Sequence, residues 1–283
     1  MIESRYQHLQ TLLRGYGSCV VAYSGGVDSV FLAYVAHTLL GDKALAVIAD
    51  SPSLPRRELR EAIDIAQQFG IPLRVIDTTE FQNKQYLANP IDRCYFCKHA
   101  LFSELEPLTA QLRFSVIAYG ENASDLNDHR PGSRAAGEFQ VRAPLRDAGL
   151  TKPEIRELSA RLGLPTADKP QLACLSSRIP TGEPVTPAKL LMVEEAEYLL
   201  RDLGFIDVRV RHHQLAGTLG GHLARIEIGP SEFTLLLDDA TRAQINTGFR
   251  TLGYSQVTLD LAGYRRGSNN GVNSANSIHF QNR

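Results

Sequence analysis

Short apolar runs alternate with helix-length amphipathic segments through the first 180 residues of this 283-residue chain. Ser18–Tyr23, Ala44–Ala49, Leu73–Ile76 and Ser115–Tyr119 are rich in Val and Ile and nearly free of polar interruptions. Parallel strands covered on both faces read this way, whereas half-exposed strands alternate. Between them lie Ser29–Leu40, Pro55–Phe69 and Lys98–Leu112. In the second of these, Leu59, Ile63, Ala66 and Phe69 recur at helical spacing, and charged residues cover the other side. Strand–helix alternation predicts an α/β domain with a doubly wound parallel sheet, with ligands beyond the carboxyl ends of its strands.

The pattern then changes. Pro165, Pro170, Pro180, Pro184 and Pro187 crowd a stretch that cannot be continuous helix or central strand. A helix over 188–203, strands over 206–212 and 223–228, a helical stretch over 230–252 and a last strand over 255–259 predict a smaller α+β domain. The expected division is 1–182, 183–266 and a disordered tail over 267–283, where Asn, Ser and Gly dominate. Lys and Arg total 30 against 31 Asp and Glu, a balance that argues against a nucleic-acid-wrapping protein. Residues 1–17 lack the continuous apolar centre of a signal peptide, and the longest uncharged apolar stretch is too short to span a membrane. The expectation is a cytoplasmic protein with reduced cysteines.

The first strand runs into Ser24-Gly25-Gly26-Val27-Asp28-Ser29 and then a helix. Two glycines let the backbone turn and approach a ligand, and amides at a helix N-terminus favour an anion. Asp28 would repel phosphate unless Mg²⁺ bridges the two. A simple N-cap after a glycine turn is the alternative. The Gly-Lys-Ser/Thr ending of the ordinary P-loop is missing. The hexapeptide resembles the pyrophosphate loop of the PP-loop ATP pyrophosphatases, which cleave ATP between its α and β phosphates and adenylate a substrate. That resemblance implies contacts from Asp50 and Ser51 to the nucleoside. Gly120, Asn122, Asp125 and Asp128 are candidates for ribose, Mg²⁺ or substrate, the alternative being a turn of Asx-capped residues.

Of the four cysteines, Cys19 sits in an apolar strand and reads as a small buried hydrophobe. Cys94-Tyr95-Phe96-Cys97 precedes a helix expected from about Lys98, and Cys174 follows in Ala173–Pro180. These residues fit three thiolate ligands of a [4Fe–4S] cluster with one open iron, a zinc site completed by His99, or no metal at all. SGGVDS, VIADSPSLPRREL, RCYFCK, YGENASDLNDHRPG and ACLSSRIPTG together resemble the LarE family across nearly the whole chain. The resemblance implies an ATP-dependent sulfurtransferase acting on pyridinium-3,5-biscarboxylic acid mononucleotide during nickel-pincer nucleotide assembly for lactate racemase. Members with three cysteines hold a [4Fe–4S] cluster on the positions of Cys94, Cys97 and Cys174; others sacrifice the sulfur of the Cys174 position. Thr181 departs from the family's Tyr in this segment.

Arg178 is a candidate to pair with substrate carboxylate or AMP phosphate and to help hold Cys174 as thiolate, a surface ion pair being the alternative. Arg209 and Arg211 share one face of a strand. The resemblance suggests the substrate's phosphate between them, and cross-strand pairing with Glu227 is the other reading. A homo-oligomer, a hexamer by family resemblance, is expected; the sulfur donor is not indicated. The rival functions are tRNA thiolation, amide synthesis of the NAD synthetase kind and non-catalytic nucleotide binding.

Overall fold

The structure is a computed structural model and describes residues 1–127, 131–170, 173–216 and 220–264. The expected disordered tail and Asp128 lie outside the described residues. Contacts divide the chain into two units. The first comprises Met1–Leu87 and Asp92–Cys174; the second takes Ala88–Ile91 and the chain from Leu175 on. The division thus falls ahead of the expected boundary at residue 182, and a loop from the middle of the first domain joins the second unit.

In the first unit the order is α1 (Ile2–Tyr16), β1 (Cys19–Ala22), α2 (Val27–Leu40), β2 (Ala44–Asp50), α3 (Arg56–Gln68) and β3 (Leu73–Asp77). It continues through α4 (Lys84–Leu87), α5 (Arg93–Gln111), β4 (Val116–Tyr119), α6 (Pro131–Glu138), α7 (Pro144–Asp147) and α8 (Lys152–Arg161). The sheet order is β3-β2-β1-β4, with every pair parallel. The chain winds outward from β1 to β3 and returns to β4 on the opposite side, so the switch point lies between β1 and β4. Alternate residues of the central strands enter different cores. Cys19, Val21, Ala46 and Ile48 pack with α1, α2, α3 and α8, while Val20 and Val47 pack with α5 and β4. Burial on both faces is why these strands read as apolar runs. Burial pushes the Cys19 thiol up to about 12, in keeping with an inert core residue.

The second unit holds α9 (Pro187–Asp202), β5 (Val208–Gln214), β6 (His222–Ile228), α10 (Asp239–Thr251) and β7 (Tyr254–Leu259). β5 and β6 are antiparallel, β6 and β7 parallel. Val208, Val210, Ile226 and Ile228 pack against Leu200 of α9 and Phe249 of α10. Thr186 caps α9, its hydroxyl accepting from the Lys189 amide at 3.3 Å. On the same core-facing side His212 is fully buried, 3.3 Å from the Tyr254 hydroxyl through Nδ1 and stacked on His222 with ring centroids 4.6 Å apart.

Burial first, then His222, lowers His212 from its ordinary 6.5 to about 4; Lys189 and His213 act the same way and Glu183 opposes. The unfolded chain therefore takes up a proton near 6.5 that the folded chain refuses until near 4. Folding stability contributed by this site is complete above the upper value and falls with pH through the window between the two. Denaturant titrations across that window will show stability rising with pH, and His212→Phe will remove part of the slope. An unchanged slope would assign the effect to other groups.

Candidate active site

β1 delivers the phosphate loop to the switch point. Gly25 has φ 70°, and a Cβ there would lie 2.6 Å from that of Ala62. Only glycine reconciles this turn with the packing of α3 beneath it. The Ser24 amide donates to Ser29 Oγ at 3.1 Å, and Ser29 Oγ donates to the Gly26 carbonyl at 3.0 Å, which closes the loop on itself. Val27, the first residue of α2, is buried in the core and anchors that helix end. Gly120, just after β4, passes so close that a Cβ would stand 3.1 Å from the Asp28 backbone and the Ser29 nitrogen. Ser24, Gly26, Asp28, Ser29, Gly120 and Glu121 line a cleft of about 200 Å³.

Three charged residues complete this cleft that spacing alone did not reveal. Lys152, the first residue of α8, places its ammonium on the Asp28 carboxylate. Its amide donates to Ser124 Oγ at 3.0 Å, and Asn122 Nδ2 approaches Asp28 Oδ1 at 3.4 Å. The Thr151-Lys152-Pro153-Glu154 capping box marks the helix start in the sequence, with Glu154 accepting from the Thr151 amide at 2.9 Å. Nothing in it links residue 152 to residue 28. Lys98 lies 4.4 Å from the Tyr119 ring centroid, lining the cleft. Burial would raise Glu121, but the Ser133 and Tyr119 hydroxyls, Arg146 and Lys98 hold it below the ordinary carboxylate range.

The nucleoside candidates are engaged inside the protein. Asp50 pairs with Arg56, which also donates to the Ser51 carbonyl at 2.5 Å. Ser51 Oγ donates to Glu80 and accepts from the Ser53 amide at 3.1 Å. Asp125 accepts from the Asn122 amide at 3.1 Å and Asn122 accepts from the Ser124 amide at 2.9 Å, the Asx-capped turn named as an alternative.

The two clustered cysteines sit differently than expected: α5 begins at Arg93, not near Lys98, so both belong to its first turns. Cys94, Cys97, Lys98 and Leu101 then follow i, i+3, i+4, i+7 spacing along one helix face, and the last two line the cleft. Burial pushes the Cys97 thiol up, and Cys174, Glu80 and Cys94 add to the rise while Arg93 opposes it. Arg93 Nη2 lies 3.9 Å from Cys174 Sγ. None of the three cysteines is in a disulfide among the described residues, and there no three His, Cys, Asp or Glu side chains form a ready metal-ligating group.

Comparison with known proteins agrees with this geometry. A family model described as NAD synthase matches residues 2–90. The Synechocystis sp. protein slr1717 is 43% identical over 96% of this chain and 99% of its own length. The pyridinium-3,5-bisthiocarboxylic acid mononucleotide synthase of Lactiplantibacillus plantarum is 32% identical over 93% of this chain and 92% of its own. The chain belongs to the LarE family. It is an ATP-dependent, adenylating sulfurtransferase built on the PP-loop domain. The tRNA-specific 2-thiouridylase of Azorhizobium caulinodans is 29% identical over 82% of this chain and 69% of that enzyme.

In this LarE-family chain the second unit revises the arginine expectations. Arg178 is not a surface residue: it is 2% exposed, with Nε and Nη2 on Glu197 at 2.8 and 3.1 Å. Its guanidinium also donates to Ser177 Oγ at 3.0 Å, and the carboxylate accepts from the Val210 amide at 3.1 Å. Arg211 is bidentate to Glu227 at 3.0 and 2.9 Å and donates to the Ser177 carbonyl at 3.0 Å. Register sets Arg209 opposite Glu227, yet the longer diagonal reach of Arg211 takes the carboxylate. Arg209 donates to the Val208 carbonyl at 2.7 Å and stacks 4.8 Å from the Tyr264 ring centroid. Burial and then Arg178 depress its proton affinity, with Glu197 and Tyr264 opposing. Thr181, the family departure, is exposed.

Two substitutions test the cleft. Lys152→Met removes a cation from the developing pyrophosphate and will lower ATP–pyrophosphate exchange about 100-fold with an unaltered fold. Gly120→Ala pushes a methyl into the loop backbone and will weaken ATP binding by tenfold or more, about 1.4 kcal/mol, in equilibrium titrations. Wild-type values in either variant would remove that contact from the site.

Proposed function

We propose that this chain adenylates the carboxylates of pyridinium-3,5-biscarboxylic acid mononucleotide and converts them to thiocarboxylates for nickel-pincer nucleotide assembly. The Lactiplantibacillus relative, whose name specifies the bisthiocarboxylic product, supports the substrate. The observation that carries the reading is helix α5. It presents Cys94 and Cys97 on the same face as Lys98 and Leu101, which line the phosphate-loop cleft. One element thus serves both halves of the reaction, activation and sulfur delivery.

A carboxylate resists nucleophiles because oxide would have to leave. In the first half a substrate carboxylate oxygen attacks the α phosphorus, the bond to the β-phosphate oxygen breaks, and pyrophosphate departs. Loop amides from Gly26 to Ser29 receive the phosphates, and Lys152 and Lys98 counter the charge that develops on them. The cleft's oxygen donors suit Mg²⁺, which Asp28 would hold and which would neutralise the departing pyrophosphate. In the second half a sulfur nucleophile attacks the acyl carbon and AMP leaves. Arg93 orients Cys174 for this step through its guanidinium. Arg209, with no carboxylate hydrogen-bonded to it among the described residues, is the candidate for the mononucleotide phosphate, and Arg211 flanks it.

The three thiols fit a [4Fe–4S] cluster in donor type and number, and Cys174 and Cys94 both raise the cost of ionising Cys97, a conflict that a cationic iron core would resolve. Cys94, Cys97 and Cys174 would hold it, and its open iron would supply a removable sulfide. The alternative keeps Cys174 itself as sulfur donor. In either case the protein is read as a cytoplasmic homo-oligomer acting on a small molecule, without nucleic acid.

Pyrophosphate release is expected only with the pyridinium dicarboxylate mononucleotide; release that requires tRNA instead would overturn the substrate assignment in favour of thiouridylase-like chemistry. Anaerobically purified protein should contain about four irons per chain with matching labile sulfide, lost in Cys174→Ala. Iron-free protein that still thiolates once, with a mass loss of one H₂S, returns the sulfur to Cys174.

A further inference from the structure

Asn89 lies at the centre of an arrangement that neither the cleft chemistry nor the second unit's core requires. It is fully buried, and its φ of 54° puts a non-glycine residue on the left-handed side just ahead of Pro90. Such a conformation is uncommon for residues with a side chain, and persists where the surroundings specify it. Its side-chain amide donates to the Pro180 carbonyl at 2.7 Å and to the Ile179 carbonyl at 3.3 Å. Its own carbonyl accepts from the Gly182 amide at 2.8 Å. Three hydrogen bonds from one residue therefore tie the loop Ala88–Ile91 to the segment Ile179–Gly182, and this tie accounts for that loop's membership in the second unit.

The position of this clasp along the chain gives it a consequence. Cys94 follows Asn89 by five residues, and Ile179 follows Cys174 by five residues. Five residues span at most about 17 Å when fully extended, and less in the helical turns present on both sides. The start of α5, with Cys94 and Cys97, and the segment carrying Cys174 thus both depart from one hydrogen-bonded point. We infer that Asn89 is a positioning residue that joins the two cysteine-bearing segments and limits how far the segment of Cys174 can stray from the start of α5.

The role is one of geometry. Without the clasp, the segments that follow and precede it keep their covalent path but lose a common anchor, so the thiols sample a wider range of separations. Binding of any ion that needs all three sulfurs then carries an added ordering cost. The side-chain amide supplies the bonds to residues 179 and 180, while the backbone carbonyl holds Gly182.

The inference rests on the three-cysteine reading, and one titration separates the two. Anaerobic apoprotein is titrated with Co²⁺, with thiolate-to-cobalt charge-transfer absorption as the signal. Cys97→Ala and Cys174→Ala serve as controls for three-sulfur binding. Asn89→Ala removes both amide and left-handed preference; Asn89→Gly keeps the backbone conformation accessible and removes only the amide. Both are expected to bind Co²⁺ about tenfold or more weakly, with thermal unfolding and ATP binding close to wild type. No thiolate absorption in the wild type would overturn the three-cysteine reading and the inference with it. Strong absorption in the wild type with equal affinity in Asn89→Gly would overturn the inference alone. Should Asn89→Ala fail to fold, Asn89→Gly decides the matter.

Discussion

The near-contact of Gly120 with the Asp28–Ser29 backbone is the constraint on which the site depends. Because β1 and β4 are adjacent and parallel, the loops that follow them emerge side by side at the switch point. A side chain at residue 120 would force the loops apart, and the phosphate loop would lose the wall that closes its cleft. The same closeness brings Asn122 within reach of Asp28 and lets Ser124 fix the start of α8, which delivers Lys152. A single hydrogen atom in place of a methyl group thus decides whether three separate segments converge on one carboxylate.

What the sequence revealed and what it concealed follow a physical division. Strands buried on both faces announce themselves as Val- and Ile-rich runs, and a strand–glycine–helix junction announces an anion site, because both signals are local. The start of α5 was harder to place. Asp92 occupies the N-cap without a side-chain capping bond, so the helix enters through a Cys-Tyr-Phe-Cys turn that carries no start signal. Lys152 and Arg93 were invisible as site residues for another reason, since their partners stand far along the chain. Cross-strand logic offered Glu227 as a partner for the arginines, beside a phosphate, and Glu227 does take one. Which arginine depends on diagonal reach, a property of side-chain packing that alternation cannot supply.

The second unit buries an unusual amount of charge. Arg178 with Glu197, and Arg211 with Glu227, are each nearly inaccessible, and Arg225 joins Glu227 to Asp260. Buried pairs of this kind add little net stability, because desolvation offsets most of the attraction. Their effect is to make each neighbour's position costly to change. Arg209 lies within this framework and donates to a backbone carbonyl, its charge raised in energy by burial and by Arg178. An anion placed against it would relieve that energy, and the surrounding pairs fix where the anion must sit.

Activation and sulfur delivery address the same carboxyl carbon, so an enzyme performing both must hold its phosphate site and its sulfur source within a few ångströms of one point. In the proposed reaction helix α5 serves that demand by periodicity, Cys97 and Lys98 standing three and four residues after Cys94. A rigid helix cannot, however, also place Cys174, which arrives from a different segment. A second restraint is therefore needed outside the helix. The buried amide of Asn89, locked in an uncommon backbone conformation and bonded to two successive carbonyls, has the stiffness for that task. Precision in the thiol site then comes from two sources of different kinds: helical periodicity for the first pair, and a tertiary hydrogen-bonded clasp for the third member.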